Sequence, residues 1–192
     1  MPRTDNPRFE VDHRKLAADP LTAGFARAMS GFSPIDSRAA FNRYCVNACH
    51  LWSENYPGGR GKTSALFAAL LERIGAGGEG AIPTSWGGVV ITRHEHPRVE
   101  KYLVVRKGGY LALEKHARKI EHLESREGAG LVLWRERPLH PLTVETALPG
   151  KLFDFTPGVE HCVIGTEDLL ILESSTDPKG MDQDLIFIYS PE

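Results

Sequence analysis

Cysteine is nearly absent from this chain: Cys45, Cys49 and Cys162 are the only three in 192 residues, an odd number without dense spacing. That argues against a disulfide framework and fits a reducing compartment. Long apolar runs are missing too. No stretch approaches the roughly 20 apolar residues of a membrane-spanning helix, and the polar segment Met1 to Lys15 lacks the apolar centre of a secretory signal. A cytoplasmic protein with no membrane partner is therefore expected. Neither sign of charge prevails: 23 Lys and Arg stand against 25 Asp and Glu, for a net charge of −2, and the basic residues are scattered among acids. Nothing draws such a chain to nucleic acid. Internal repeats and low-complexity tracts are lacking, and 41% apolar with 25% charged residues excludes a disordered or collagen-like class.

What is present suffices for a substantial core, and 192 residues suit one domain with an elaboration or two small ones. Near residue 80 the composition changes, Ala-rich helical patterning giving way to short β-branched and aromatic runs. This separates a helical N-terminal segment, residues 1–80, from a β-rich part, residues 81–192. In the first part, Ser33-Pro34-Ile35-Asp36 has the form of a capped helix start, with an acceptor side chain, Pro at the first helical position and an acid in the first turn. That helix is predicted to run to about Glu54 and to stop at the breaker cluster Asn55-Tyr56-Pro57-Gly58-Gly59. A second, from about Thr63 to Ile74, places Leu66, Phe67, Leu70, Leu71 and Ile74 on one side. Arg14 to Ala28 is read as a further helix. The second part contains nine candidate strands: Gly87–Thr92, Lys101–Arg106, Tyr110–His116, Glu121–Arg126, Gly130–Arg135, Leu152–Phe155, Val159–Ile164, Leu169–Glu173 and Leu185–Tyr189. Short strands with hairpin-length gaps predict an antiparallel sandwich or barrel.

The chemistry concentrates on four residues of these strands. Glu114 and His116 are two apart and so share one face of a strand. Glu121 follows on the next strand, and His161 comes from a distant one. Two imidazoles and two carboxylates suit one divalent ion such as Mn, Fe, Ni or Zn better than Ca or Mg, which prefer oxygen alone.

The spacing around these residues resembles the two sequence motifs of the cupin superfamily. The first motif runs Gly, five spacers, His, one spacer, His, four spacers, Glu, six spacers, Gly. It falls on Gly108, Glu114, His116, Glu121 and Gly128, with Glu114 replacing the first His. The second falls on Gly150, Thr156, Gly158, His161 and Gly165, with Thr156 in place of Pro and Gly165 in place of Asn. The resemblance covers somewhat more than half the chain. It implies a mainly β cupin double-stranded β-helix, a jelly-roll barrel, holding a metal on Glu114, His116, Glu121 and His161. Within the superfamily, Glu114-Lys115-His116, Glu121-His122-Leu123 and the upstream Ser85-Trp86-Gly87 are similar to the type II mannose-6-phosphate isomerase group. That likeness implies an aldose–ketose isomerase acting on a sugar or sugar phosphate, in which the metal stabilises an ene-diolate. Such an enzyme also needs a base, for which Glu173, Lys101 and Tyr102 are candidates. An Fe(II)-dependent dioxygenase and a non-catalytic metal- or ligand-binding cupin are the alternatives, and a homodimer is the expected assembly.

Other signals are set aside. Gly58-Gly59-Arg60-Gly61-Lys62-Thr63 misses the first Gly of a phosphate loop and follows a helix. Cys45 and Cys49 beside His50 read as small buried residues of a helix, and His94 and His96 as weak metal candidates on a loop leaving a strand. Alternation turns Cys162 and His122 away from the ligand face. Lys115, Arg118 and Lys119 read as a solvated rim, or else as a phosphate contact at the barrel mouth.

Overall fold

The computed structural model describes residues 7–58 and 64–191. Its helices are α1 (Arg14–Ala18), α2 (Ala23–Met29), α3 (Arg38–Asn55) and α4 (Ala65–Gly75). Twelve strands are found among the described residues: β1 (Val11–Asp12), β2 (Ala81–Thr84), β3 (Gly87–Glu95), β4 (Arg98–Val105), β5 (Leu113–His116), β6 (Ile120–Glu127), β7 (Gly130–Arg135), β8 (Leu142–Ala147), β9 (Leu152–Phe155), β10 (Glu160–Gly165), β11 (Leu169–Thr176) and β12 (Leu185–Tyr189). They form two six-stranded sheets, ordered β1-β8-β7-β10-β5-β12 and β2-β3-β4-β11-β6-β9. All pairings are antiparallel except that of β1 with β8. The chain is mainly β and adopts the cupin jelly roll, preceded by an α-helical segment.

Both sheets are covered on both sides, and that is why their central strands read as apolar runs. Between the sheets, Leu103, Val105, Leu123, Phe153, Phe155, Val163 and Ile171 fill the barrel. On the outer face of the first sheet, Leu113, Leu131, Leu133, Cys162 and Ile164 pack against Phe25, Phe41, Tyr44, Cys45 and Trp52 of α2 and α3. Outside the second sheet, Val90, Val104 and Leu170 meet Phe67, Leu70 and Ile74 of α4. Residues 160 to 165 of β10 are therefore all buried, whereas β6 alternates buried and open positions where helix cover ends.

Several boundaries differ from expectation for identifiable reasons. The long helix starts at Arg38, capped by Ser37, whose Oγ accepts from Ala40 N at 3.2 Å. Ile35 instead exchanges two 2.8 Å backbone bonds with Phe9 and is fully buried, so core burial overrides the helix-start pattern at Ser33-Pro34. Pro20 divides the Arg14–Ala28 segment into two short helices, with Asp19 before it extended. The start expected at Thr63, and the Gly58–Thr63 segment apart from Gly58, lie outside the described residues. α4 begins with Ser64 as its cap, accepting from Phe67 N at 3.0 Å. Strands β1, β2 and β8 were not predicted. β8 hides among Pro138, Pro141 and Pro149, yet it pairs with β7 from Gly130↔Ala147 to Trp134↔Thr143. His94 and Glu95 belong to β3, opposite Val99 and Arg98. Tyr110 makes only an isolated bridge to Ile164, and its strand begins at Leu113.

Candidate metal centre

Strand alternation brings the four expected ligands into the barrel. On β10, His161 and Val163 point inward while Cys162 and Ile164 join the helix-covered core. On β5, Glu114 stands opposite His161 in the ladder, and His116 follows two residues later on the same face. On β6, Glu121 and Leu123 face inward, and His122 lies on the outer surface beside Asp154. Two glycines of the resemblance fix the spacing. Gly128 turns β6 into β7 at φ +77°, where a Cβ would sit 1.6 Å from Asp168 O. Gly158, at φ +89°, donates its N–H to His116 O at 2.8 Å and so ties the turn before His161 to β5.

Each imidazole is held from behind with its Nε2 directed at Glu121. His116 Nδ1 donates to Asp184 Oδ1 at 3.0 Å and His161 Nδ1 to Val159 O at 3.2 Å. His116 Nε2 then lies 3.4 Å from Glu121 Oε1, and His161 Nε2 lies 2.9 Å from Glu121 Oε2. Phe155 stacks on the His161 ring at 4.3 Å between centroids. Donor atoms of Glu114, His116 and His161 lie within 4.8 Å of one another, as do those of His116, Glu121 and Asp182. Each triad is close enough to gather on one ion, although Glu114 and Glu121 fall in different triads that have His116 in common. Glu121 Oε2 is moreover buried without a well-aligned hydrogen-bond donor.

The electrostatics follow from packing so many charges together. Burial pushes the Glu114 carboxyl up to about 7 against the opposing pull of His161. Burial disfavours charge on His116, but the hydrogen bond and charge of Glu121 prevail and raise it to about 9. His161 is raised by the same carboxylate against its burial. Glu121 is held well below the usual range: its burial is outweighed by His116, His161 and Lys119. Burial likewise opposes ionisation of Asp184, and His116 with two backbone N–H groups overcomes it.

Beside the four residues stands a charge network that sequence reasoning saw only in part. Glu173 and Lys101 pair across the β4–β11 ladder and are buried in the cavity wall, with Lys101 Nζ 3.3 Å from Glu173 Oε2. Lys119, expected at a solvated rim, is fully buried. Its Nζ lies 2.5 Å from Glu121 Oε1 and 2.7 Å from Glu173 Oε1, and it also bonds Asp182. Tyr102 is not in the site, because it faces the α4 side of β4. Lys115 is on the outer face near Glu160, at 3.6 Å. Asp182 and Asp184 were not anticipated. The only signal for them is an Asp-x-Asp pair just before the strand that pairs with β5. The cavity, open on one side, has a volume of about 370 Å³, and Trp86, Leu111 and Phe187 add apolar wall to the charged floor.

No protein-family model and no curated protein matches the sequence. Solved structures do. CapF with the inhibitor 3-isopropenyl-tropolone aligns with a TM-score of 0.51 at 12% identity, over 57% of this chain and 34% of that one. The capsular polysaccharide assembling protein CapF from Staphylococcus aureus gives 0.50 at 14% identity, with the same shares. KdgF from Halomonas sp. gives 0.43 at 16% identity, over 48% of this chain and 80% of that one. Somewhat more than half of this chain thus matches about a third of CapF, and at such identities the likeness shows the fold alone. Fold and strand order together define a cupin-type barrel. Among the described residues no helix is long and apolar enough to cross a membrane.

Proposed function

We propose that this barrel holds one divalent ion, Mn, Fe, Ni or Zn, on Glu114, His116, Glu121 and His161, and that it interconverts an aldose and a ketose, acting on a sugar or sugar phosphate. The observation that carries this reading is the convergence of two Nε2 atoms on the Glu121 carboxylate, each ring held from behind by a fixed acceptor. Such backing of a ligand His is the usual support of a metal site. The bound ion would supply positive charge where a substrate oxygen becomes anionic. Lys101 is assigned to a substrate oxygen and Glu173 to the proton that moves between adjacent carbons, since both line the cavity floor. Trp86 and Phe187 offer apolar surface for the carbon face of a sugar ring. A carbohydrate substrate is also in keeping with the capsular polysaccharide role for which CapF is named.

Metal analysis of protein purified without added ions tests the first half. Glu121→Ala and His161→Ala should each abolish the metal content, and undiminished content in either would overturn the site. For the second half, metal-loaded protein is incubated with aldoses and their phosphates and ketose formation is followed. No ketose, together with Fe(II)-dependent oxygen consumption, would replace the isomerase by an oxygenase.

A further inference from the structure

Two buried lysines line the cavity floor and share two acids, one of which, Asp182, lies on a connection and not in a strand. Lys101 and Lys119 have side chains 7% and 1% exposed. Glu173 lies between them, 3.3 Å from Lys101 Nζ and 2.7 Å from Lys119 Nζ, a single negative charge against two positive ones. Glu121 assists Lys119 but belongs to the ligand set. The balance is made up by Asp182, whose Oδ2 lies 2.6 Å from Lys101 Nζ and whose Oδ1 bonds Lys119. Its carboxylate therefore bridges the two ammonium groups, one oxygen to each.

Asp182 differs from the other acids of this network, Glu121 of β6 and Glu173 of β11. It comes from the connection between β11 and β12 rather than from the strand framework, its side chain is 30% exposed, and both it and Met181 have left-handed backbone, at φ +59° and +48°. The connection is anchored at its base, where Asp177 accepts from Gly180 N and Asp182 N, each at 2.8 Å. Burying two ammonium groups costs solvation that is recovered only while acids face them. A wall that served packing alone would be better made of apolar side chains. Lysines kept in a ligand cavity under a loop-borne acid have the form of an anion site closed by its own counter-ion.

We propose that Lys101 and Lys119 form a subsite for a substrate carboxylate, and that Asp182 fills it until the substrate displaces the loop. A carboxylate has the same spacing between its oxygens as the Asp182 side chain and can make the same two bonds. The donor atoms of Asp182, His116 and Glu121 lie within 4.8 Å of one another. The displaced position is thus beside the metal ligands, which suits a carboxylate carried close to the reacting carbons, though not on them, rather than a phosphate at the far end of a sugar. This narrows the substrate to a sugar acid, and it rests on reading the cavity as a substrate site.

Calorimetric titration of the full chain, as isolated and after chelation, with D-gluconate, glucose 6-phosphate and glucose tests it. Gluconate is expected to bind most tightly. Asp182→Asn, which removes the competing charge, should tighten gluconate about tenfold or more and leave glucose binding unchanged, while Lys101→Gln should weaken gluconate by a similar factor. Asp182→Ala serves as a second variant, and thermal melts establish that each is folded. Gluconate affinity unchanged or weakened in both folded Asp182 variants overturns the proposal. Glucose 6-phosphate binding more tightly than gluconate overturns the carboxylate assignment. Absence of gluconate binding by protein that retains its metal sinks this inference alone, whereas gluconate binding by protein that never holds metal sinks the metal reading and supports the subsite.

Discussion

His116 is held from two sides, and Asp184 does the holding at the rear. Besides accepting from His116 Nδ1, Asp184 accepts the backbone N–H groups of Arg118 at 2.6 Å and Lys119 at 2.9 Å, so one carboxylate fixes both the ring and the turn into β6. Replacing it with Asn leaves the size unchanged and removes the charge. Asp184→Asn should weaken metal affinity roughly 10- to 100-fold, read by competition against a chelating dye, and unchanged affinity would mean that packing alone orients the ring. That Glu114, His116, Glu121 and His161 share the inner face of the barrel was legible in the sequence, because strand period and motif spacing fix which face each occupies; that they hold an ion is the proposal. Lys119 was not, since charged residues are rarely buried, and only the acids around it, brought from β6, β11 and the final connection, make its burial tolerable. Asp182 and Asp184 escaped because a connection imposes no period on its side chains.

Residues 177–184 behave as an element in their own right. Asp177 is 1% exposed, donates its N–H to Pro97 O at 2.6 Å, and accepts three backbone N–H groups from residues 179, 180 and 182. Removing that acceptor strands several donors, at a cost of about 1–3 kcal/mol each if buried. Asp177→Ala should lower stability by about 3 kcal/mol in urea unfolding and speed hydrogen exchange between residues 178 and 184. Slow exchange there in the variant would show that Asp177 is not what holds the connection. At this scale the jelly roll itself was legible, since nine strands were read from β-branched runs and turns. The missing β8 shows the limit: its alternation Leu142-Thr143-Val144 is clear, but flanking prolines favour a loop when no neighbouring strand is in view. Cover from α3 and α4 was equally hidden, because an apolar helix face does not say which sheet it meets. Phe67, 1% exposed under the second sheet, sets the size of that contact. Phe67→Ala should cost about 3–5 kcal/mol while leaving metal stoichiometry intact below the melting transition.

For the whole molecule, the buried charges make stability depend on pH and, with an ion held as proposed, on metal as well. Glu114, raised to about 7, favours folding fully below its ordinary carboxylate value of 4.5, a contribution lost as pH rises through 7. His116, raised to about 9, contributes fully below 6.5 and loses it as pH rises through 9. Glu121, Asp182 and Asp184 are lowered, so their contribution is lost toward acid. Metal-free protein should therefore be most stable near pH 5–6.5 and melt progressively lower from there to pH 9. An ion held as proposed would have the opposite dependence, because it would bind ionised carboxylates and neutral imidazoles and so displace the protons that Glu114 and His116 hold. At pH 7 Glu114 is about half protonated and His116 almost fully so, and about one to two protons should leave per ion bound. At an ion concentration about 1,000 times Kd the added stability is about 4 kcal/mol, enough to reverse the alkaline decline. Melting temperatures from pH 5 to 9, with saturating ion and with chelator, should diverge steadily above pH 6.5. Calorimetry in buffers of different ionisation enthalpy counts the protons. Parallel melting curves with no proton release would mean that Glu114 and His116 do not bind the ion.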